Sequence, residues 1–443
     1  MITMQKTEKI AVVGAGIMGL TLAYRLLNQG YDVSIFEKDD RTGGMSASFD
    51  FDGLYIERYY HFLCKPDVPV FQLLKELDID HLLTWKETKM GFFYEGKLYP
   101  WGNPLALLKF PGLGLLSKIR FGLQVFLSIK HNKWDKLDRM TAVEWIKRFE
   151  GEKAYRVLWD SLLRLKFHNF REELSAAWVW SRLRRVGVSR KNMFHETLAY
   201  LDGGVAKLLA TLETKIKQMG GEIFLGSEVT HIYIGMPENK ITGVKVNGQE
   251  IRFDKVITTI PLPYIPQLAP GLPGDVIERY KRLDNIGVVC VILKLSHPLT
   301  ENFWLNISDS VIDLPGVIEF SNLRPFEEKI VYFPFYLHRA HPWFSEPDAH
   351  FIEMVKRYCK RINKEFTGDW VLAERVHRYE CAQPVCPPGF LDMLPPVKTE
   401  VEGLYIVDTS YYYPEDRSLS ESIRAAQELA KELGFPVSPV NNA

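Results

Sequence analysis

The chain has 443 residues, more than one ordinary hydrophobic core supports, so two domains are expected. Hydrophobic residues make up 46% and 55 Lys and Arg balance 55 Asp and Glu, a composition that fits a globular protein and gives no support to a nucleic-acid partner. The five cysteines (Cys64, Cys290, Cys359, Cys381, Cys386) form no CxxC pair, which argues against a disulfide framework or metal site and fits a reducing compartment. With no expected signal peptide or bilayer-spanning run, the expectation is a cytoplasmic enzyme.

The first motif lies at residues 9–37. An apolar run, Lys9-Ile10-Ala11-Val12-Val13, leads into Gly14, Gly16 and Gly19, then a helical stretch over 17–28, then a second apolar run, 32–36, closed by Glu37. A tight turn calls for the first glycine, close approach of a pyrophosphate for the second, and packing of helix on strand for the third. The helix N-terminus offers free amides and a positive dipole end to phosphate. Gly14, Ala15, Gly16, Ile17, Met18 and Gly19 are therefore expected along a dinucleotide, with Glu37 and Lys38 at its ribose end.

Residues 68–200 read as mainly helical, with apolar three-to-four spacing over 68–77, 142–149, 155–167 and 174–186. Within them, 104–134 is dense in Leu, Phe and Ile, and its full charges are all basic: Lys109, Lys118, Arg120, Lys130 and Lys133. Such a segment fits either a helical cap packed on its own domain or a peripheral contact with an anionic membrane. Leu201-Asp202-Gly203-Gly204 breaks the helical run and a helix over 205–219 follows. Short alternating runs at 222–225, 229–234 and 241–246 suggest an antiparallel meander, with Asn247-Gly248 as a hairpin signal. A strand at 256–260 ends in a proline-rich crossing that reaches Gly274. Strands at 287–294, 316–321 and 330–336 then suggest a second sheet, and a strand at 404–407 leads through Asp408 to a helix over 419–433.

The fold expected is α/β. A Rossmann-like nucleotide domain is entered three times, at 1–67, 200–274 and 395–443. Residues 68–199 and 275–394 build an α+β substrate domain with a mixed or antiparallel sheet and a helical cap.

Asp39-Asp40-Arg41-Thr42-Gly43-Gly44, directly after Glu37, resembles the amine-oxidase-like FAD superfamily, which includes monoamine oxidase, protoporphyrinogen oxidase, phytoene desaturase and, more distantly, UDP-galactopyranose mutase. The resemblance recurs at Gly203-Gly204, Glu228-Val229, Asp254-Lys255-Val256-Ile257 and Gly403-Leu404-Tyr405-Ile406-Val407-Asp408. It implies FAD as cofactor. By that resemblance Arg41, Gly43 and Gly44 (with Met45) lie along the pyrophosphate and ribityl chain, Val229 meets the adenine, and Asp408 bonds the ribityl or pyrophosphate part. Ser418, Leu419 and Ser420 would face flavin N1 and O2, where a helix N-terminus stabilises the charge of reduced flavin. Three departures count against simple amine oxidation. Met45 stands where many amine oxidases carry Arg, no lysine occurs in 287–293, and Ser418 takes the place of one wall of their aromatic cage.

His61, in Arg58-Tyr59-Tyr60-His61-Phe62, is a candidate flavin contact or base, against a structural histidine in an aromatic cluster. Lys166 either lines the substrate cavity or complements a helix dipole. Arg417 either neutralises an anionic substrate or reduced flavin, or forms a turn salt bridge. Arg182, Arg184 and Arg185 read first as a solvated basic face. Tyr60, Asn322 and Tyr336 are further pocket candidates. The function expected is an FAD-dependent oxidoreductase moving hydride from a substrate C–H bond to flavin N5, the substrate bulky, apolar or lipid-linked, the electrons passing to oxygen or another acceptor. A redox-neutral sugar-nucleotide mutase and a non-catalytic protein of the GDP-dissociation-inhibitor type are the alternatives. No GxSxG, HExxH or Walker pattern supports a hydrolase or kinase.

Overall fold

The computed structural model describes residues 8–190, 192 and 195–434. The outermost parts of two expected nucleotide-domain segments, 1–7 and 435–443, lie outside the described residues.

Five parallel strands form the nucleotide sheet, in the order Leu404–Ile406, Lys255–Thr258, Lys9–Val13, Asp32–Phe36 and Glu222–Phe224. Its inner strands Lys9–Val13 and Asp32–Phe36 are buried on both faces, as parallel strands require, and the edge strand Glu222–Phe224 is largely exposed. Alternation divides the side chains: Ile10, Val12, Val33 and Ile35 join the core of the helices Ile17–Asn28, Val205–Gln218 and Leu419–Glu432. Ala11, Val13 and Phe36 point the other way and share a core with Ile232 and Val244 of an antiparallel meander, Val229–Gly235, Lys240–Val246 and Gln249–Arg252. The run near 222–225 thus belongs to the parallel sheet and not to the meander. Its place is fixed by a long-range contact, the stacking of Phe224 on Phe36 at 5.2 Å, which no local pattern reports.

The second sheet has seven strands, in the order Val371–Pro384, Asn285–Leu295, Lys329–Leu337, Gly316–Glu319, Trp304–Ser308, Met90–Tyr94 and Lys97–Trp101. It is antiparallel except for the Trp304–Ser308/Met90–Tyr94 pair, so the sheet is mixed. Asn285–Leu295 is buried along its whole length. Val289, Val291 and Leu293 pack with Phe351 and Val355 of the helix Asp348–Ile362, and Val288 and Cys290 face the nucleotide side.

Residues 68–200 are less helical than their spacing suggests, because strands Leu83–Thr88, Met90–Tyr94, Lys97–Trp101 and Glu196–Leu201 lie among the helices. Glu95 and Gly96, both at positive φ (47° and 75°), turn the Met90–Trp101 hairpin. The expected helix over 155–167 is two pieces, a π-helical segment Tyr155–Trp159 and a helix Asp160–Phe167. The basic apolar segment is also two helices, Pro104–Lys109 and Leu115–Lys130, broken at Phe110-Pro111-Gly112, with Asn103 capping the first through the Ala106 amide at 2.9 Å.

A Cβ built on Gly19 would lie 2.0 Å from the Gly14 carbonyl oxygen, a backbone atom that cannot step aside. Gly19→Ala is therefore expected to lower the stability of the FAD-free protein by at least about 1–3 kcal/mol, read from denaturant midpoints, whereas a merely tolerant turn would leave the midpoint unchanged.

Candidate active site

A cavity of about 1290 Å³ lies between the two sheets and reaches from the glycine turn to the helices Pro104–Lys109 and Leu115–Lys130. At its nucleotide end Gly14 has φ +103°, which lets the chain turn from strand into helix. A Cβ on Gly16 would meet no atom within 4 Å, so the space in front of the helix N-terminus is open. Gly14, Gly16, Ile17 and Met18 line that space, whereas Gly19 lies beneath it against Gly14. Across the turn, Gly43 at φ +107° donates its N–H to the Ala15 carbonyl at 2.8 Å, and Gly44 and Met45 carry the wall onward.

Glu37 ends its strand at the edge of this space. Its carboxylate accepts from the Ala15 amide at 2.7 Å and the Asp39 amide at 3.0 Å, which fixes its orientation towards the cavity. Lys38 lines the same end, its Nζ 5.4 Å from the Tyr264 ring centroid. Val229 and Thr230 form the wall beyond Glu37.

Asp408 closes the far side. It is buried, accepts from the Leu262 amide at 2.9 Å and the Ser410 amide at 2.7 Å, and is pushed up to about 6 by burial. Ser418 caps the helix Leu419–Glu432 by accepting from the Glu421 amide at 3.1 Å, so that this helix begins at the cavity wall, with Ser418 and Leu419 lining it and Ser420 buried outside the lining. Two helix N-termini therefore meet one elongated cavity, the first beside open space that suits a phosphate group. The residues fit FAD.

Beyond Ala15, Gly19 and Ser420, which adjoin the lining without belonging to it, two further expected site residues lie outside it. Arg41 is held by Asp40 and the Ser48 carbonyl, at 2.7 and 3.0 Å, and lies outside the cavity lining. Its neighbour Asp40 captures the guanidinium before it can reach the phosphate side. Asn322 also lies outside; its amide donates to the Thr300 and Asn302 carbonyls at 3.1 and 2.9 Å and is spent on holding that turn.

His61, Lys166, Arg417, Tyr60 and Tyr336 come together at the inner wall, although they lie far apart in sequence. His61 Nε2 is 3.3 Å from the Ser46 hydroxyl, and burial, with the Arg417 charge adding to it, lowers the ring to about 4, so it is neutral at ordinary pH. Tyr60 packs edge-on to Trp304 and Tyr332, with centroids 5.7 and 5.8 Å away.

Lys166 occupies the last turn of Asp160–Phe167, but its side chain is buried. Its Nζ sits 4.9, 5.0 and 5.5 Å from the ring centroids of Trp178, Tyr336 and Phe167. Burial, helped by the charges of Arg182 and Arg417, holds the amine well below the usual lysine range. Arg417 donates to the Ala382 carbonyl and lies 5.8 Å from the Tyr336 ring centroid.

The basic residues on Ala176–Val188 are not a solvated face. Arg182 pairs with Asp416 and Arg185 with Asp67 at 2.8 Å, and both arginines line the cavity. Asp416 and Cys290 are cavity residues that sequence reasoning did not select. Asp416 was adjacent to a selected residue, but its partner is 234 positions away.

A two-ended dinucleotide cradle backed by a mixed substrate sheet defines an FAD-dependent oxidoreductase. The chain belongs to the flavin containing amine oxidoreductase family, whose model matches residues 17–429. It is 24% identical to the 15-cis-phytoene desaturase of Synechococcus elongatus over 64% of either chain, so it spans just under two thirds of that relative. It is 26% identical to a 4,4'-diapophytoene desaturase of Staphylococcus haemolyticus over 73% of this chain and 71% of the relative. An oxidoreductase structure from Methanosarcina mazei shares the fold, with TM-score 0.72, 20% identity and coverage of 96% of this chain and 100% of the other. Family membership sets aside a non-catalytic, flavin-free protein.

Protein purified without added cofactor is expected to be yellow and to release FAD on heating. Glu37→Ala should weaken FAD binding by about 1.5–3 kcal/mol, from the loss of a charged hydrogen-bonding partner. Gly16→Val should fold, since its neighbourhood is open, yet lose the cofactor to steric exclusion. Stoichiometric FAD in both variants after dialysis would contradict the cradle.

Proposed function

We propose that the protein dehydrogenates a bulky, apolar or lipid-linked substrate, taking hydride from a C–H bond. The observation that carries this reading is the cavity's second half. Beyond Tyr60 and Tyr336 it is walled by Leu107, Phe121, Val125, Phe126, Leu158 and Leu162, apolar side chains from the helical cap. The whole cavity exceeds the roughly 300–1,000 Å³ of ordinary ligand sites, which leaves room for a second molecule beside a dinucleotide. The similarity to proteins named as phytoene and diapophytoene desaturases supports an apolar substrate. The redox-neutral mutase reading finds no specific support in the family match.

When bound, FAD supplies a two-electron acceptor at flavin N5. The chain's own residues do the rest. The apolar wall and the rings of Tyr60 and Tyr336 align the substrate chain and exclude water. The first turn of Leu419–Glu432 and the guanidinium of Arg417 offset the negative charge that arrives with the hydride. If a double bond forms, the neighbouring carbon loses a proton and its bonding electrons become the new π bond. We assign that proton to Lys166, which faces the same cavity and whose amine burial holds well below the usual lysine range.

Anaerobic mixing with an apolar polyene should bleach the oxidised flavin, and a simple primary amine should not. Lys166→Met is expected to slow bleaching by on the order of 10²–10⁴ at a pH where the wild-type amine is neutral. Because the lysine's pKa is depressed, its base function is present above that value and lost as pH falls through it; the wild-type rate should rise with pH and the variant's should not. His61→Ala should slow flavin reduction more than it weakens FAD binding. Bleaching by amines alone, or an unchanged pH profile in Lys166→Met, would contradict the proposal.

A further inference from the structure

The helix Leu115–Lys130 is apolar on its outer side as well as on the side that faces the cavity. Its buried residues are polar, Gln124 and Ser128, whereas Leu115 and Leu116 are 67% and 69% exposed and Ile119, Leu123 and Phe126 are each more than half exposed. A helix that caps a core in water would be polar on its outer side. The buried amide of Gln124 has no hydrogen-bond partner among the described residues, so the orientation is not explained by a polar bond made inside. Leu105 and Leu108 on the adjoining short helix extend the same exposed apolar surface. A patch of this kind marks an interaction site.

The full charges of this segment have one sign. Lys109, Lys118, Arg120, Lys130 and Lys133 are the full charges of 104–134, and none pairs with a carboxylate among the described residues. Lys118 and Arg120 donate instead to backbone carbonyls of Leu108 and Phe149, each at 2.6 Å. Two copies of the chain meeting on this face would bring like charges together, whereas an anionic lipid surface complements them. The inner sides of the same two helices supply Leu107, Phe121, Val125 and Ile129 to the cavity, and Phe126 belongs to both the exposed patch and the cavity wall.

We propose that this face docks on an anionic membrane surface, with the leucines at the acyl boundary, the lysines among the head groups, and the cavity opening towards the lipid. Among the described residues no helix is long and apolar enough to cross a membrane, so the contact is interfacial. Docking stands on exposure and charge; its use as the route by which substrate reaches the cavity rests on the proposed apolar-substrate function.

The test is flotation of the FAD-loaded full chain with vesicles of phosphatidylcholine alone or mixed with phosphatidylglycerol. The protein should float with the mixed vesicles and lose affinity by about fivefold for each of Lys130→Gln and Lys133→Gln. Ile119→Ser combined with Leu123→Ser should abolish flotation while the flavin colour and melting temperature are retained, since both side chains are already exposed. Three results would overturn the proposal: protein that stays with buffer in both vesicle types, a serine variant that floats like the wild type, or a solution dimer that the serine substitutions split. Flotation needs no turnover. Failed flotation with intact bleaching by a polyene sinks docking alone, and the opposite pair of results sinks the substrate reading alone.

Discussion

Gly19 lies so close to the carbonyl of Gly14 that a single added carbon would stand 2.0 Å from its oxygen. That contact seats the Ile17–Asn28 helix directly on the end of the Lys9–Val13 strand and leaves the helix N-terminus facing the cavity. The remaining geometry is built on it. Glu37 reaches the turn because the Asp32–Phe36 strand pairs in register with Lys9–Val13, and its carboxylate then ties down the Ala15 amide. Gly43 bonds the Ala15 carbonyl from the other side. Asp408 arrives at the same cavity because Leu404–Ile406 pairs with Lys255–Thr258, itself beside Lys9–Val13. One steric constraint thus sets the position of three distant segments.

The inner end of the cavity obeys a different rule, the high cost of charge in an apolar enclosure. Arg182 and Arg185 are answered by the carboxylates of Asp416 and Asp67. Lys166 faces the rings of Trp178 and Tyr336; burial and the charges of Arg182 and Arg417 oppose its protonation, against the pull of Asp416. His61 is kept neutral. The site therefore sets Arg417 beside a neutral His61 and a lysine whose protonation burial disfavours. That division suits a reaction in which negative charge arrives on a ring while a proton leaves a carbon.

The glycine turn and Glu37 were legible in the sequence because each has a fixed spacing from its neighbours and a distinct physical task, whereas Asp408 and the helix start at Leu419 were singled out through the resemblance to the FAD superfamily. Lys166 and the Arg182–Asp416 pair were not decidable in that way. A lysine in the last turn of a helix fits a dipole contact as well as a cavity, and only the approach of Trp178 and Tyr336 resolves the two. Asn322 failed for the complementary reason: its partners, Thr300 and Asn302, are remote and both its N–H bonds are used there. The strands of 83–101 were missed since their pairing partners, among them Trp304–Ser308 and Glu196–Leu201, lie beyond any local window. The helix at 115–130 left both its readings open, because apolar residues on both sides of a helix do not say which side faces water.

The central claim is that one continuous cavity holds the cofactor at the two helix N-termini and the substrate against the helical cap. A crystal structure of the FAD-loaded protein with a long polyene soaked under anaerobic conditions tests it most directly. The account places the isoalloxazine at Leu419, with the polyene running past Tyr336 and Tyr60 between the ring and the Leu115–Lys130 helix. A flavin ring away from Leu419, or a polyene in the separate cavity of about 420 Å³ beside His168 and His341, would contradict it.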